Sequence, residues 1–253
     1  MIFIGIAVLI ICLILVWRKR GSILAWIAGI YNVKGETGKA LKLYRGADKM
    51  GGMNYKAKIS YGYFLLKNGY INDARIEFNK LSMNKKLTDA QKQQVKSLQA
   101  LVVWKEGRLD EAIEMLEAVT KTYVTSMTYQ SLGLLYILKR DKKKAMEYCL
   151  EAYEYNSDDN VIMDNLAEAY ALCGETEKAL KTYEELLSRN PHFPDAYYGY
   201  GILLLKNGRQ KEGVDYIGQA LNKKFSFLSA LPRERVESIY LANRDAAGEI
   251  EGE

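Results

Sequence analysis

One histidine, three cysteines and two pairs of carboxylates are the residues of this chain that could do chemistry. His192 stands between Pro191 and Phe193. A general base needs an orienting partner and a proton within hydrogen-bond reach; the turn around His192 offers neither, which favours a structural place. Cys12, Cys149 and Cys173 form no CxxC and have a single His in the chain to join them, so neither a disulfide framework nor a zinc knuckle can be assembled. No cysteine has the basic surroundings that mark a nucleophilic thiolate, and a reducing compartment is the simpler reading. Asp158-Asp159 has the composition of a helix start, and Asp164 with Glu168 that of a polar helix face. The alternating ligands of a calcium loop are missing, as are the G-x-x-x-x-G-K-[ST] and G-x-G-x-x-G phosphate cradles. Basic residues do not interleave with aromatics in a repeating code, which argues against nucleic acid. The sequence therefore predicts no enzyme, no metal and no cofactor. Recognition has to be carried by a surface.

Charge is distributed by region. The net +5 of the 253 residues conceals 22 Lys/Arg against 12 Asp/Glu over 21–147, a net of +10, and 11 against 19 over 148–253, a net of −8. Ahead of both lies Ile2 to Trp17, without charge, Asn, Gln or Pro, in which twelve of sixteen residues are Ile, Leu, Val or Phe. Such a run favours insertion into a bilayer by roughly 4–7 kcal/mol, and sixteen residues cover roughly 24 Å of a ~30 Å hydrocarbon core. Trp17 at the interface with Arg18, Lys19 and Arg20 behind it can close the gap. A cleaved signal would carry its positive charge before the apolar run and small residues after it; here the order is reversed. The expectation is an uncleaved single-pass anchor at residues 1–20 of an inner or plasma membrane. Its N-terminus faces out and its basic cluster keeps the remainder cytoplasmic.

That remainder is paced by a recurring turn. Gly35…Ala40, Gly69…Ala74, Gly107…Ala112, Arg140…Ala145, Gly174…Ala179 and Gly208…Gly213 begin 34, 38, 33, 34 and 34 residues apart. With the turn Gly numbered position 15 and the small residue position 20, position 8 reads Ala28, Gly62, Ala100, Gly133, Ala167 and Gly201. A period of this length signals stacked helix pairs, and short side chains let antiparallel helices approach to ~8–10 Å. The spacing predicts helices at 22–34 and 38–50, 54–68 and 71–83, 88–106 and 109–122, 126–139 and 142–155, 159–173 and 176–189, and 193–207 and 210–222. A final helix over 231–243 would cover the open end. Thr88 and Gln91 have the spacing of a capping box.

These motifs closely resemble the tetratricopeptide repeat, whose pattern is W-x2-L-G-x2-Y, then A-x3-F, then P. Tyr129-x2-Leu132-Gly133-x2-Tyr136 matches its first helix, and Leu166-Ala167-x2-Tyr170, Ala179-x3-Tyr183 and Pro191 carry the whole of it. The resemblance covers about residues 21–225. It implies an all-α fold: a transmembrane helix, an α-solenoid of about six pairs with repeats starting near 21, 55, 93, 126, 160 and 194, and a capping helix with an acidic tail at 226–253. In this family the first helices line a concave groove through positions 2, 5, 9 and 12. Carried over, the peptide-binding residues are Ile59, Tyr63, Leu66, Leu101, Trp104, Gln130, Leu134, Ile137, Glu168, Tyr198 and Ile202, with Asp164 and Leu205 beside them and Asn165 at the adjacent position 6. Lys and Asn at positions 5 and 9, which clamp a terminal carboxylate, are replaced by Ile59, Tyr63, Ser97 and Leu101, so that clamp is missing. One span joined to such an array is also similar to the membrane-anchored lipopolysaccharide-assembly regulators. Those carry C-terminal Cys pairs, and this chain has no Cys after Cys173.

The resemblance thus implies a membrane-anchored cytoplasmic scaffold that holds a protein client or peptide segment near the lipid bilayer, with Trp104 and Tyr63 as anchors. The alternative is a structural homo-oligomer in which arrays stack on one another. The basic region 21–147 would rest on anionic headgroups or stand solvated.

Overall fold

The short residues of each turn and of position 8 decide where the helices meet. The computed structural model describes residues 2–249. Among the described residues there are helices and no strands: α1 (Ile2–Val33), α2 (Thr37–Met50), α3 (Tyr55–Lys67), α4 (Ile71–Ser82), α5 (Asp89–Lys105), α6 (Leu109–Thr120), α7 (Ser126–Lys139), α8 (Lys142–Tyr155), α9 (Asn160–Cys173), α10 (Thr176–Ser188), α11 (Pro194–Lys206), α12 (Gln210–Leu221) and α13 (Arg233–Glu249). They form two compact units, Met1–Leu98 and Gln99–Glu253, with the division inside α5.

In the first unit, α1 departs from expectation. The sequence predicts an anchor over residues 1–20 and a separate helix over 22–34, yet one helix runs unbroken through both. A mid-helix Gly costs about 1 kcal/mol; here its missing side chain admits the α2–α3 connection, since a Cβ on Gly21 would lie 2.2 Å from the Gly51 carbonyl oxygen. Ser22 completes the fastening. Its Oγ donates to the Gly52 carbonyl at 3.0 Å and accepts the Asn54 N–H at 2.8 Å. Arg20 belongs to this joint too: its guanidinium lies 4.0 Å over the Trp17 ring and donates to the Met50 carbonyl at 2.8 Å. Gly21-Ser22 is therefore a docking notch. Among the described residues no helix is long and apolar enough to cross a membrane; the expected span falls largely on residues 1–13, most of whose side chains lie outside the described ones.

Elsewhere in this unit Ala28, Ala40 and Ala74 are fully buried at the helix contacts, and Tyr44 stacks on Tyr61 with ring centroids 5.3 Å apart. The capping box forms as its spacing predicts: the Gln91 N–H donates to Thr88 Oγ1 at 3.3 Å and the Thr88 N–H to Gln91 Oε1 at 3.1 Å.

In the second unit, the turns at Gly107, Gly174 and Gly208 hold φ of 88°, 85° and 76°, and Arg140 takes the same left-handed place with φ of 60°. Positions 8 and 20 touch directly in the last pair, where a Cβ on Gly201 would lie 2.8 Å from the Gly213 carbonyl oxygen. One core gathers Leu116, Leu132, Tyr136, Cys149 and Leu166. A second gathers Met163, Tyr183, Leu186, Leu204 and Ile217 and extends to Val236 of α13. The closing helix begins after Pro232, two residues later than expected, and reaches Glu249. Its first residue, Arg233, donates to the Leu221 carbonyl at 3.1 Å.

Candidate peptide-binding face

The first helices present the expected residues unevenly. In the first unit Ile59 and Tyr63 of α3 are half-buried and Leu66 is fully buried. In the second, Leu101, Ile137 and Asn165 are buried, while Trp104, Gln130, Leu134, Tyr198 and Ile202 are half-buried and Glu168 is exposed. Two of them are spent on stitching α7 to α9: Asn165 Nδ2 donates to the Gln130 carbonyl at 2.8 Å, and Gln130 Nε2 to Asp159 Oδ2 at 2.6 Å. Of the residues expected at a membrane interface, Trp17, Arg18 and Lys19 are exposed and Arg20 is half-buried against Met50.

What distinguishes the second unit is charge. Asp164 of α9 is 6 % exposed; no side chain pairs with it among the described residues, and its carboxylate oxygens reach solvent, since no fully buried side-chain oxygen there lacks a hydrogen-bond partner. Burial, then the neighbouring Asp195 and Glu168, raises its carboxyl well above the usual range. Glu168, one turn on, is pushed the same way by the enclosing protein and by Asp195, and its contact with water limits the effect. Asp195 at the start of α11 is raised by burial and drawn back by a hydrogen bond from Ser229 and by Lys105. Lys105 at the end of α5 faces Asp195 alone of the three; burial lowers its ammonium to about 8, opposed by Asp195.

Sequence reasoning missed Lys105, Asp195, Phe227 and Ser229. Asp195 holds position 2 of its repeat, a groove position, and could have been found. Lys105 lies one residue past Trp104, and the other two belong to the connection between α12 and α13, which has no repeat position. That connection crosses to α5. Ser229 Oγ donates to Asp195 Oδ1 at 2.7 Å, and its carbonyl accepts from Lys105 Nζ at 2.9 Å. The same ammonium stands 4.1 Å from the Trp104 ring centroid and 4.9 Å from that of Phe227.

Other polar groups are already answered. A hollow of about 450 Å³ between α6 and α8 is lined by Glu117, Tyr129, Tyr148 and Glu151. Glu117 accepts from Tyr136 and from Lys144, and Glu151 from Tyr129 at 2.7 Å, so both of these carboxylates are already held. Cys149 is fully buried, its thiol pushed up by burial, and packs against Gly133. His192 is exposed in the turn before α11. No group of three or more His, Cys, Asp or Glu among the described residues is placed to hold a metal.

Residues 128–159 match the family profile described as Tetratricopeptide repeat, and residues 167–208 one described as TPR repeat. Residues 128–159 and 167–208 carry tetratricopeptide repeats. It is 27 % identical over 206 residues to the bovine DnaJ homolog subfamily C member 3, covering 76 % of this chain and 41 % of that protein. It is 28 % identical over 118 residues to the photosystem I assembly protein Ycf3 of Prochlorococcus marinus, covering 43 % of this chain and 68 % of that protein. Against the first, the chain spans well under half of the relative's length. Among solved structures, a tetratricopeptide repeat protein from Parabacteroides merdae superposes with a TM-score of 0.67 at 12 % identity, over 88 % of this chain and 84 % of that one. The type IV pilus biogenesis factor PilW gives 0.60 at 16 %, over 79 % and 92 %. These two likenesses establish the fold: an all-helical tetratricopeptide solenoid.

Proposed function

We propose that the chain is a membrane-tethered scaffold whose second unit captures an extended protein segment bearing a basic side chain. Asp164 carries the reading. A carboxylate with so little contact with water and no cation beside it is costly to ionise, and the first helices of the same unit carry Trp104, Tyr198, Ile202 and Leu205, apolar side chains left only half-covered. Apolar walls with a few convergent polar groups make a recognition site, and a Lys or Arg from outside would restore the missing charge to Asp164 and Glu168. The surrounding region, net −8 over 148–253, attracts such a segment. Tethering rests on the charge-free run Ile2–Trp17 followed by Arg18-Lys19-Arg20, which places the N-terminus outside and the repeats in the cytoplasm. The absence of any nominated catalytic constellation makes this a binding protein in our reading, with no cofactor.

Crosslinked pull-down from native membranes tests the capture. Trp104→Ala with Tyr198→Ala should weaken it by about 2–4 kcal/mol, as loss of two hot-spot aromatics does; unchanged capture would refute the reading. A second reading, self-assembly, draws on Ile23, Trp26, Ile30 and Val33, an exposed apolar stripe along α1. Sedimentation of the full chain in detergent separates them, because a concentration-independent monomer leaves only the scaffold.

A further inference from the structure

The connection between α12 and α13 is bound at its ends and loosely held in its middle. Phe225 and Leu231 pack on the second core, Lys223 Nζ donates to the Tyr197 hydroxyl at 2.8 Å, and Arg233 fixes the far end at Leu221. Between them Phe227 remains 39 % exposed. The backbone there is shaped by its own serines: the Leu228 N–H donates to Ser226 Oγ at 3.2 Å and the Leu231 N–H to Ser229 Oγ at 2.9 Å. Its contacts with the first helices are few and specific, namely Phe227 with the Lys105 ammonium and Ser229 with Lys105 and Asp195. Segments with few buried contacts open at low free energy, so the middle can lift while both ends stay docked.

We propose that residues 222–232 are the resident occupant of the second unit's first-helix face, and that the protein segment replacing them carries the same pattern, an aromatic residue followed two positions later by Ser or Thr. The proposal rests on the capture reading given above and adds to it both the form of the client and its regulation. An aromatic ring takes the cation of Lys105, and a hydroxyl donates to Asp195 while the adjacent carbonyl accepts from Lys105. A tethered occupant competes at an effective concentration of the order of millimolar, so a client with the same contacts alone cannot win. The margin lies in Asp164 and Glu168, to which the connection supplies nothing: its cations are Lys223, engaged with Tyr197, and Lys224, which is exposed. A client bearing Arg or Lys beside its Ser reaches what the resident leaves unmet.

The probe is a fluorescein-labelled peptide with the sequence of residues 222–231, titrated by anisotropy into the full chain and into Phe227→Ala/Ser229→Ala, whose fold is checked by circular dichroism. The opened variant should bind it at least tenfold more tightly than the unaltered protein. A peptide with Ala230→Arg or Leu228→Arg should bind more tightly again, and one lacking its own Phe227 and Ser229 side chains should not bind. Equal affinity for both proteins, or no binding to the opened one, would overturn the proposal, and no gain from either Arg peptide would remove the basic residue from the client's pattern. Hydrogen exchange on the full chain, unaltered and with Asp195 replaced, gives an independent reading. Amides of residues 226–230 should exchange at least tenfold faster in Asp195→Ala, which leaves Ser229 without its acceptor, and unchanged exchange also overturns the proposal. Peptide binding by the opened variant together with unchanged capture by Trp104→Ala/Tyr198→Ala would uphold the resident occupant and remove the scaffold reading; the reverse pattern removes the occupant alone.

Discussion

Both units fold a connecting segment against a first helix, and they settle its polar groups differently. In the first unit the connection Gly51–Asn54 meets α1 with each group answered: Arg20 reaches Met50, Ser22 bridges the Gly52 carbonyl and the Asn54 N–H, and Gly21 clears the Gly51 carbonyl. In the second the connection meets α5 and α11 through Ser229 and Phe227, while Asp164 of α9, its oxygens reaching solvent, has no cation paired with it. A fully satisfied joint is a fastening. A joint with a missing cation is a place where something else can bind, because buried charge without a partner lowers stability unless it serves another end.

Four substitutions probe that contrast. The largest effect is expected at Gly21→Ala, where the new Cβ meets backbone at 2.2 Å; overpacking of this kind costs about 3 kcal/mol, read as an earlier unfolding transition in denaturant. If the joint were loose, the loss would be under about 1 kcal/mol. Next is Tyr136→Phe, which removes the hydroxyl that donates to Glu117 and accepts from Lys144; a hydrogen bond to a charged group is worth about 1.5–3 kcal/mol, lowered here because Lys144 keeps Glu117 paired.

Asp164→Asn should have the opposite sign, raising stability by about 1 kcal/mol at neutral pH, since it removes an uncompensated buried charge. Its pH dependence is the sharper sign. Asp164, Glu168 and Asp195 have folded pKa values above their unfolded ones, so the folded state takes up protons first. Stability is then fully present below the usual carboxylate value near 4 and is lost as pH rises through the raised folded values. The thermal midpoint of the unaltered protein should climb as pH falls from 7.5 towards 5, and Asp164→Asn should flatten that climb; the facing Lys105 stays protonated across this range. The smallest effect is Arg140→Gly, which relieves a side chain from the left-handed region at φ 60° and should add about 0.5–1 kcal/mol.

How much of this was legible follows from where each constraint is written. The helix pairs are written locally: position 8, the turn and position 20 recur on one beat, and even Arg140 is found because its neighbours place it where five glycines stand. The notch at Gly21 has no local signal, because the group it makes room for is the Gly51 carbonyl, thirty residues away. Glu168 of α9 is exposed and Tyr198 and Ile202 of α11 are half-buried, whereas the burial of Leu66, Leu101 and Ile137 depends on how closely the next helix approaches. The Ser229–Lys105 bond joins residues 124 apart, one of them outside any repeat, and no periodicity announces it.

The central claim is that the first-helix face of the second unit captures a protein segment through Asp164. A photo-crosslinking amino acid placed at Tyr198, with Leu150 on α8 as the exposed control, measures this in native membranes. The account predicts a discrete crosslinked protein from Tyr198 and none from Leu150, with the Tyr198 yield falling at least fivefold in Asp164→Asn. Equal crosslinking at both positions, or a Tyr198 yield indifferent to Asp164→Asn, would contradict it.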